Sequence, residues 1–202
     1  GGETSGTINA GGKVIACVNH DENAIASHEA NWPKCKHYTE DVRDYQVIQK
    51  LKKLVKKYRR MYPDLILVRQ ASLECTHFSG AKGGASRERD SRTLAYSLNN
   101  YIDELDPDYV RIENVREFLN WGPIKIKADK KNSTKNYTAL KIDKKGKYVF
   151  EEIKERRKEY YIPWIAGIES MGYHYQYRLL LACDFNSVQH RLRYFGTFAK
   201  HG

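Results

Sequence analysis

Cys75 lies in the polar stretch Glu74-Cys75-Thr76-His77-Phe78-Ser79, which follows the apolar run Leu65-Ile66-Leu67-Val68. A cysteine in apolar surroundings is usually a structural core residue, whereas one in a polar loop after a strand is placed to act as a nucleophile. A free thiol has a pKa of about 8.5 and only a few per cent thiolate at neutral pH, so reactivity calls for nearby positive charge. Arg191 in the run Gln189-His190-Arg191-Leu192-Arg193 could supply it. Glu74 opposes thiol ionisation unless its side chain points away. Glu113 and Asn114 close a second apolar run, Tyr109-Val110-Arg111-Ile112. Burial there would leave Glu113 a protonated or proton-sharing carboxyl, suited to general acid-base work. The competing reading is a capping or salt-bridged surface glutamate. For Arg191 and Arg193 it is a basic strand edge.

The elements that must position these residues alternate between strand and helix. Val14-Ile15-Ala16-Cys17-Val18 reads as a buried parallel strand ending at Asn19-His20-Asp21. Residues Glu22 to Asn31 favour helix, closed by Trp32-Pro33. From Tyr45 to Arg60, Val47, Ile48, Leu51, Leu54, Val55 and Tyr58 fall at helical spacing. Lys50, Lys52, Lys53, Lys56, Lys57 and Arg59 around them read better as a solvated face than as phosphate contacts. Leu65–Val68 is the next buried strand, Arg69–Ser91 a polar loop, Thr93–Leu105 a helix and Tyr109–Ile112 a third strand. A helix is expected over Glu151–Tyr161, then two strands, Tyr173–Ala182 and Tyr194–Phe198, as an antiparallel pair at a sheet edge. The fold class is therefore α/β.

The chain has 202 residues, 41% of them hydrophobic, which fits a single folded domain over 1–202. The formal net charge is +10, most of it in a basic, insertion-like segment at about 125–150, with a loop or small hairpin around Lys144–Lys147. Such a charge attracts polyanions. No apolar run is long enough to span a membrane and no export signal opens the chain, so a cytoplasmic setting is expected. Cys17, Cys35, Cys75 and Cys183 lack the short spacings of a zinc site or a disulfide framework, so no metal is expected. Cys17 and Cys183 are expected in the core, and Trp121 and Trp164 fit either core or DNA-facing positions.

Three patterns occur in order: Glu74-Cys75 after one strand, Glu113-Asn114-Val115 after the next, and Gln189-x-Arg191-x-Arg193 near the end. Together they resemble the Pro-Cys, Glu-Asn-Val and Gln-x-Arg-x-Arg motifs of the DNA cytosine-5 methyltransferases, with a phage or bacterial variant of the nucleophile loop. The resemblance extends to Gly1-Gly2, Asn19-His20-Asp21, Asp41-Val42 and Thr93-Leu94. It implies a Rossmann-like, class I sheet with helices on both faces that binds S-adenosylmethionine and acts on double-stranded DNA. By the same resemblance Cys75 is the nucleophile, Glu113 holds the cytosine edge and Arg193 meets its carbonyl. Gln189 and Arg191 position the nucleophile loop and DNA backbone, and Ser79 and Asn114 join the DNA side. Gly2, Asn19, His20, Asp41, Val42 and Leu94 face the cofactor. Asn19 stands where the family usually has an acidic residue.

The resemblance further implies a fragment: the family's first strand and its target-recognition region are absent. A restriction-modification, phage or solitary origin, and the oligomeric state, stay open. Two other readings are a non-catalytic DNA-binding or regulatory fragment and a nucleotide-dependent oxidoreductase. The second lacks a complete Gly-x-Gly-x-x-Gly loop.

Overall fold

A computed structural model describes residues 2–73, 94–144, 146 and 148–200. The chain falls into two compact units, one made of Gly1–Leu65 with Asn100–Asp106, the other of Ile66–Asn99 with Pro107–Gly202.

The first unit is built on a parallel strand pair. Helix α1 (Gly2–Asn9) is followed by β1 (Ala16–Asn19), α2 (Glu22–Asn31), β2 (Lys36–Thr39) and α3 (Tyr45–Met61). β1 and β2 run in register from Ala16 against Lys36 to Asn19 against Thr39. Asp21 caps α2, its Oδ1 accepting from Asn23 N at 2.8 Å and Ala24 N at 3.1 Å. Trp32 ends that helix ahead of Pro33. Asp44 caps α3, which buries Val47, Ile48, Leu51 and Val55. On its outer face Lys50 pairs with Glu40, and Lys52 with Glu104 at 2.5 Å, as a solvated face would. The interior here is partly polar: Thr4, His28 and Cys35 are buried. Burial, then the neighbouring His37, holds the His28 imidazole below its ordinary range. Burial pushes the Cys35 thiol up to about 11.

The second unit carries a mixed sheet in the order β3-β4-β8-β7. Its strands are β3 (Val68–Ser72), β4 (Tyr109–Val115), β7 (His174–Leu181) and β8 (Leu192–Ala199). β3 and β4 are parallel, and β8 is antiparallel to both β4 and β7. The expected antiparallel pair is thus present, but only β7 is an edge. Helix α4 (Leu94–Leu105) contains the boundary between the units. Phe118, Trp121, Tyr161, Trp164, Tyr194 and Phe198 form an aromatic core packed mainly edge-to-face. Trp121 and Trp164 are each 1% exposed, which settles them as core. Trp164 Nε1 donates to Ala95 O at 3.0 Å. Each such ring contributes about 1.5–3 kcal/mol by burial and about 0.5–1.5 kcal/mol more per favourable pair. Gly196 is required beneath this cluster, because a Cβ there would collide with the Tyr194 hydroxyl.

Several expected elements shift. The run Leu65–Leu67 precedes β3, and Ile66 is 67% exposed. Its backbone is tied to Asp108 instead: Leu67 N donates to Asp108 Oδ2 at 2.7 Å, and Asp108 N to Leu67 O at 2.9 Å. Arg69–Ser72, expected in a loop, are strand; residues 74–91 of that loop lie outside the described residues. β4 continues through Glu113–Val115 because all three pair with β8. No helix spans Glu151–Tyr161: β6 (Phe150–Glu152) pairs with β5 (Ile124–Ile126), a 3-10 turn comes next, and α5 runs Tyr161–Glu169. Pro163 sits in the first turn of α5, where its missing N–H costs nothing. The basic segment between β5 and β6 is a ribbon with isolated antiparallel bridges, Ala128–Leu140, Thr134–Tyr137 and Ile142–Tyr148. Lys145 and Lys147 lie outside the described residues. Cys17 is only half-buried and Cys183 is exposed, because Cys183 falls in the surface turn Ala182–Phe185.

Candidate active site

Sheet register assembles the site in the second unit. In the antiparallel ladder Glu113 faces Phe195 and Val115 faces Arg193, so Glu113 and Arg193 share one face as diagonal neighbours. Arg193 Nε lies 3.2 Å from Glu113 Oε1, with both side chains about three-quarters buried. Arg191, two residues earlier and so on the same side of an extended chain, reaches Glu113 Oε1 only at 3.9 Å and is more exposed. Arg193 also donates from Nη1 to Leu192 O at 2.9 Å, which fixes the guanidinium.

The intervening Asn114 points to the opposite, core face and is 2% exposed. Its Oδ1 accepts from Val115 N at 2.8 Å, and its Nδ2 donates to Leu73 O at 3.4 Å. The parallel pairing of β3 with β4 sets Ser72 against Glu113. Asn114 therefore holds the backbone two residues before Cys75, at the level of the Glu113 carboxylate. Cys75 and Ser79 themselves lie outside the described residues. Gln189 is exposed in the turn before β8, where its N–H donates to Ser187 Oγ at 3.3 Å and its carbonyl accepts from Arg191 N at 2.9 Å. It shapes the approach to Arg191 through backbone alone.

The residues assigned to a cofactor lie mostly in the first unit, at the carboxyl ends of the parallel strands, where α/β sheets bind ligands. Asn19 ends β1, and its Oδ1 accepts from Asp21 N at 2.9 Å. His20 is exposed. Asp41, just past β2, accepts from Arg43 N at 2.8 Å and from Arg43 Nη2 at 2.6 Å. That side-chain and backbone bonding holds the Asp41 carboxyl well below its usual range, at about 2. Val42 O accepts from Tyr101 OH at 2.8 Å. Gly2 opens α1, and a Cβ on it would meet nothing within 4 Å. Leu94, which opens α4 in the second unit, is half-buried. Arg43 and Tyr101 were not singled out from the sequence. The Asp41-x-Arg43 spacing was the available signal for the first; Tyr101 is 59 residues from Val42 and left none.

A profile of the family described as C-5 cytosine-specific DNA methylase matches residues 1–136. The chain belongs to this family. Among solved structures, this methylase chain resembles a putative DNA modification methyltransferase encoded within an Escherichia coli prophage, with a TM-score of 0.62 and 20% identity over 99% of the chain. It also resembles a DNMT2 mutant from Spodoptera frugiperda, with a TM-score of 0.53 and 19% identity over 95% of the chain. At these identities the likeness is one of fold, and it confirms the Rossmann-like class. The methylase chain spans 44% of the length of each of those two proteins. No curated protein matches it in sequence. Among the described residues no helix is long and apolar enough to cross a membrane.

Proposed function

We propose that the protein, at its full natural length, transfers a methyl group from S-adenosylmethionine to carbon 5 of cytosine in double-stranded DNA, through a covalent adduct on Cys75. The observation that carries this reading is the Glu113–Arg193 pair, set by ladder register beside the strand that leads into Cys75. Residues 1–202 act in it as one catalytic core.

Carbon 5 of cytosine is a poor nucleophile until a thiolate adds to carbon 6 and turns the ring into an enamine. Cys75 makes that bond. Glu113 holds ring nitrogen 3 and the exocyclic amine while charge builds on the ring, and Arg193 meets the ring carbonyl. A base entering the site must therefore share or replace the Glu113–Arg193 bond. Arg191 and Gln189 steady the nucleophile loop and the DNA backbone, with Asn114 anchoring the strand end and Ser79 on the DNA side. Loss of the carbon 5 proton then expels the Cys75 thiolate. The target base is rotated out of the duplex, because the faces of its carbon 5 to carbon 6 bond are covered within the stack. The exposed Lys125, Lys127 and Lys130 of the basic ribbon offer phosphate contacts.

S-adenosylmethionine, when bound, supplies the methyl group. The residues at the opening of α1 and at the end of β1 fit it: the space beside Gly2 admits a ligand, Asn19 has amide N–H donors for ribose hydroxyls, and exposed His20 can stack on adenine. Asp41 would share its carboxylate between Arg43 and the adenine amine, with Val42 next to it in the chain, and Leu94 keeps the cofactor role that the resemblance gives it.

The deciding experiment is a covalent trap. Duplex DNA carrying 5-fluorocytosine, with S-adenosylmethionine, is expected to give a denaturant-resistant adduct on Cys75. Salt-sensitive, reversible association without an adduct would sink the catalytic reading and leave a DNA-binding module.

A further inference from the structure

Away from the site above, the first unit gathers three donor side chains that the spacing of the sequence does not advertise. His28 comes from α2, Cys35 from the turn before β2 and His37 from β2 itself. His28 Nδ1 lies 2.8 Å from His37 Nε2. With Cys35 Sγ, the donor atoms all fall within 4.8 Å of one another, His28 and Cys35 being buried and His37 half-buried. Strand alternation explains the pair from β2: Cys35 and His37 flank the exposed Lys36 and turn to the same side. The register sets Cys17 opposite His37, on that face as well.

We propose that His28, Cys35 and His37 bind a thiophilic divalent cation of the zinc class at a structural site. Tetrahedral zinc holds imidazole nitrogen at about 2.0–2.1 Å and thiolate sulfur at about 2.3 Å, which separates its donor atoms by roughly 3.3–3.8 Å. To reach that geometry the two facing ring nitrogens must part by about 0.5 Å, and the sulfur must close by up to about 1.2 Å. Facing nitrogens 2.8 Å apart share one proton between two lone pairs, and a cation takes the place of that proton. Thr4 Oγ1, 2.8 Å from His28 Nε2, orients the ring from its far side, as oxygen partners of metal-bound imidazoles do. The site would join α2 to β2 in a unit whose two strands have only four residues each. In so small a sheet a cation contributes directly to folding. The inference does not depend on the reaction proposed above.

The test uses the full-length protein, without a histidine tag, in a Cys75→Ser, Cys183→Ser background that leaves Cys17 and Cys35 as the thiols of this region. Cobalt(II) added to chelator-treated protein should bind at about one equivalent per chain, give a thiolate-to-cobalt charge-transfer band and raise the melting temperature. Cys35→Ser should abolish the band while the far-ultraviolet circular dichroism stays native. His37→Gln should weaken binding by about 10- to 100-fold. His190→Gln, on the exposed surface, should change neither. A folded parent that takes up no cobalt(II) or zinc(II), or a Cys35→Ser protein that keeps the same band, overturns the proposal.

Discussion

In the second unit, Glu113 and Arg193 are held by a ladder of backbone hydrogen bonds and by an aromatic core on the opposite face of the same strands. At the ends of the parallel pair, Asn19 and Asp41 are held by their own loops, Asn19 through Asp21 and Asp41 through Arg43. The first arrangement is pre-organised: the backbone that carries each charge is fixed by the β4–β8 ladder. The second is adaptable, because exposed partners two residues away can be exchanged for a ligand at small cost. Chemistry that stabilises a developing charge gains from rigid placement, whereas ligand capture tolerates adjustment.

This contrast can be broken by mutation. Replacing Cys75 with alanine should remove the trapped adduct and reduce labelled-methyl transfer by at least about a thousandfold. Phe118→Ala, which empties the aromatic core behind the site, should cost about 3–5 kcal/mol in denaturant unfolding. If it costs less than about 1 kcal/mol, the ladder is not supported by that core. Glu113→Gln should keep the fold but lower transfer by about 10²–10³-fold, a loss expected of a pre-organised group. Gly2→Val should leave unfolding nearly unchanged, since its side chain would stand in open space, yet raise the dissociation constant for S-adenosylmethionine. Equal affinity would separate Gly2 from the cofactor.

The smallest effect concerns Asp41. Its folded pKa of about 2 lies below the unfolded value of about 3.9. The stabilisation is therefore complete above about pH 4 and is lost as pH falls through about 2, and exposure limits it to about 0.2–1 kcal/mol. Carboxyl titration followed by NMR should place Asp41 near 2, and Arg43→Ala should raise it toward the ordinary range, with the bond from the residue 43 backbone N–H still holding it somewhat low.

Local signals were legible in the sequence. The Glu22 and Asn31 ends of α2 match the structure, because the Asp21 cap and the Trp-Pro stop are encoded by adjacent residues. Arg191 and Arg193 were legible through the Gln-x-Arg-x-Arg pattern, although β8 begins at Leu192 rather than Tyr194 and β4 runs to Val115 rather than Ile112. Long-range pairing was not. Glu151 and Glu152 favour helix locally but join a strand because β5 pairs with them. Tyr161, expected to end a helix, begins one instead, because Pro163 is compatible with a first helical turn and Trp164, Ile165 and Ile168 bury the turns beyond it. His28, Cys35 and His37 escaped notice because a helix must fold over a strand before they form a group.

β8 has one further consequence. Its side chains alternate between the Arg193 face and the Tyr194 core, so the strand behaves as a parity code. A single-residue deletion between Asn186 and Arg191 can be absorbed by the turn only if the ladder holds its place. If the ladder slips by one residue, the arginine moves into the aromatic core and the tyrosine into solvent. Length changes in this strand should be tolerated in pairs or not at all.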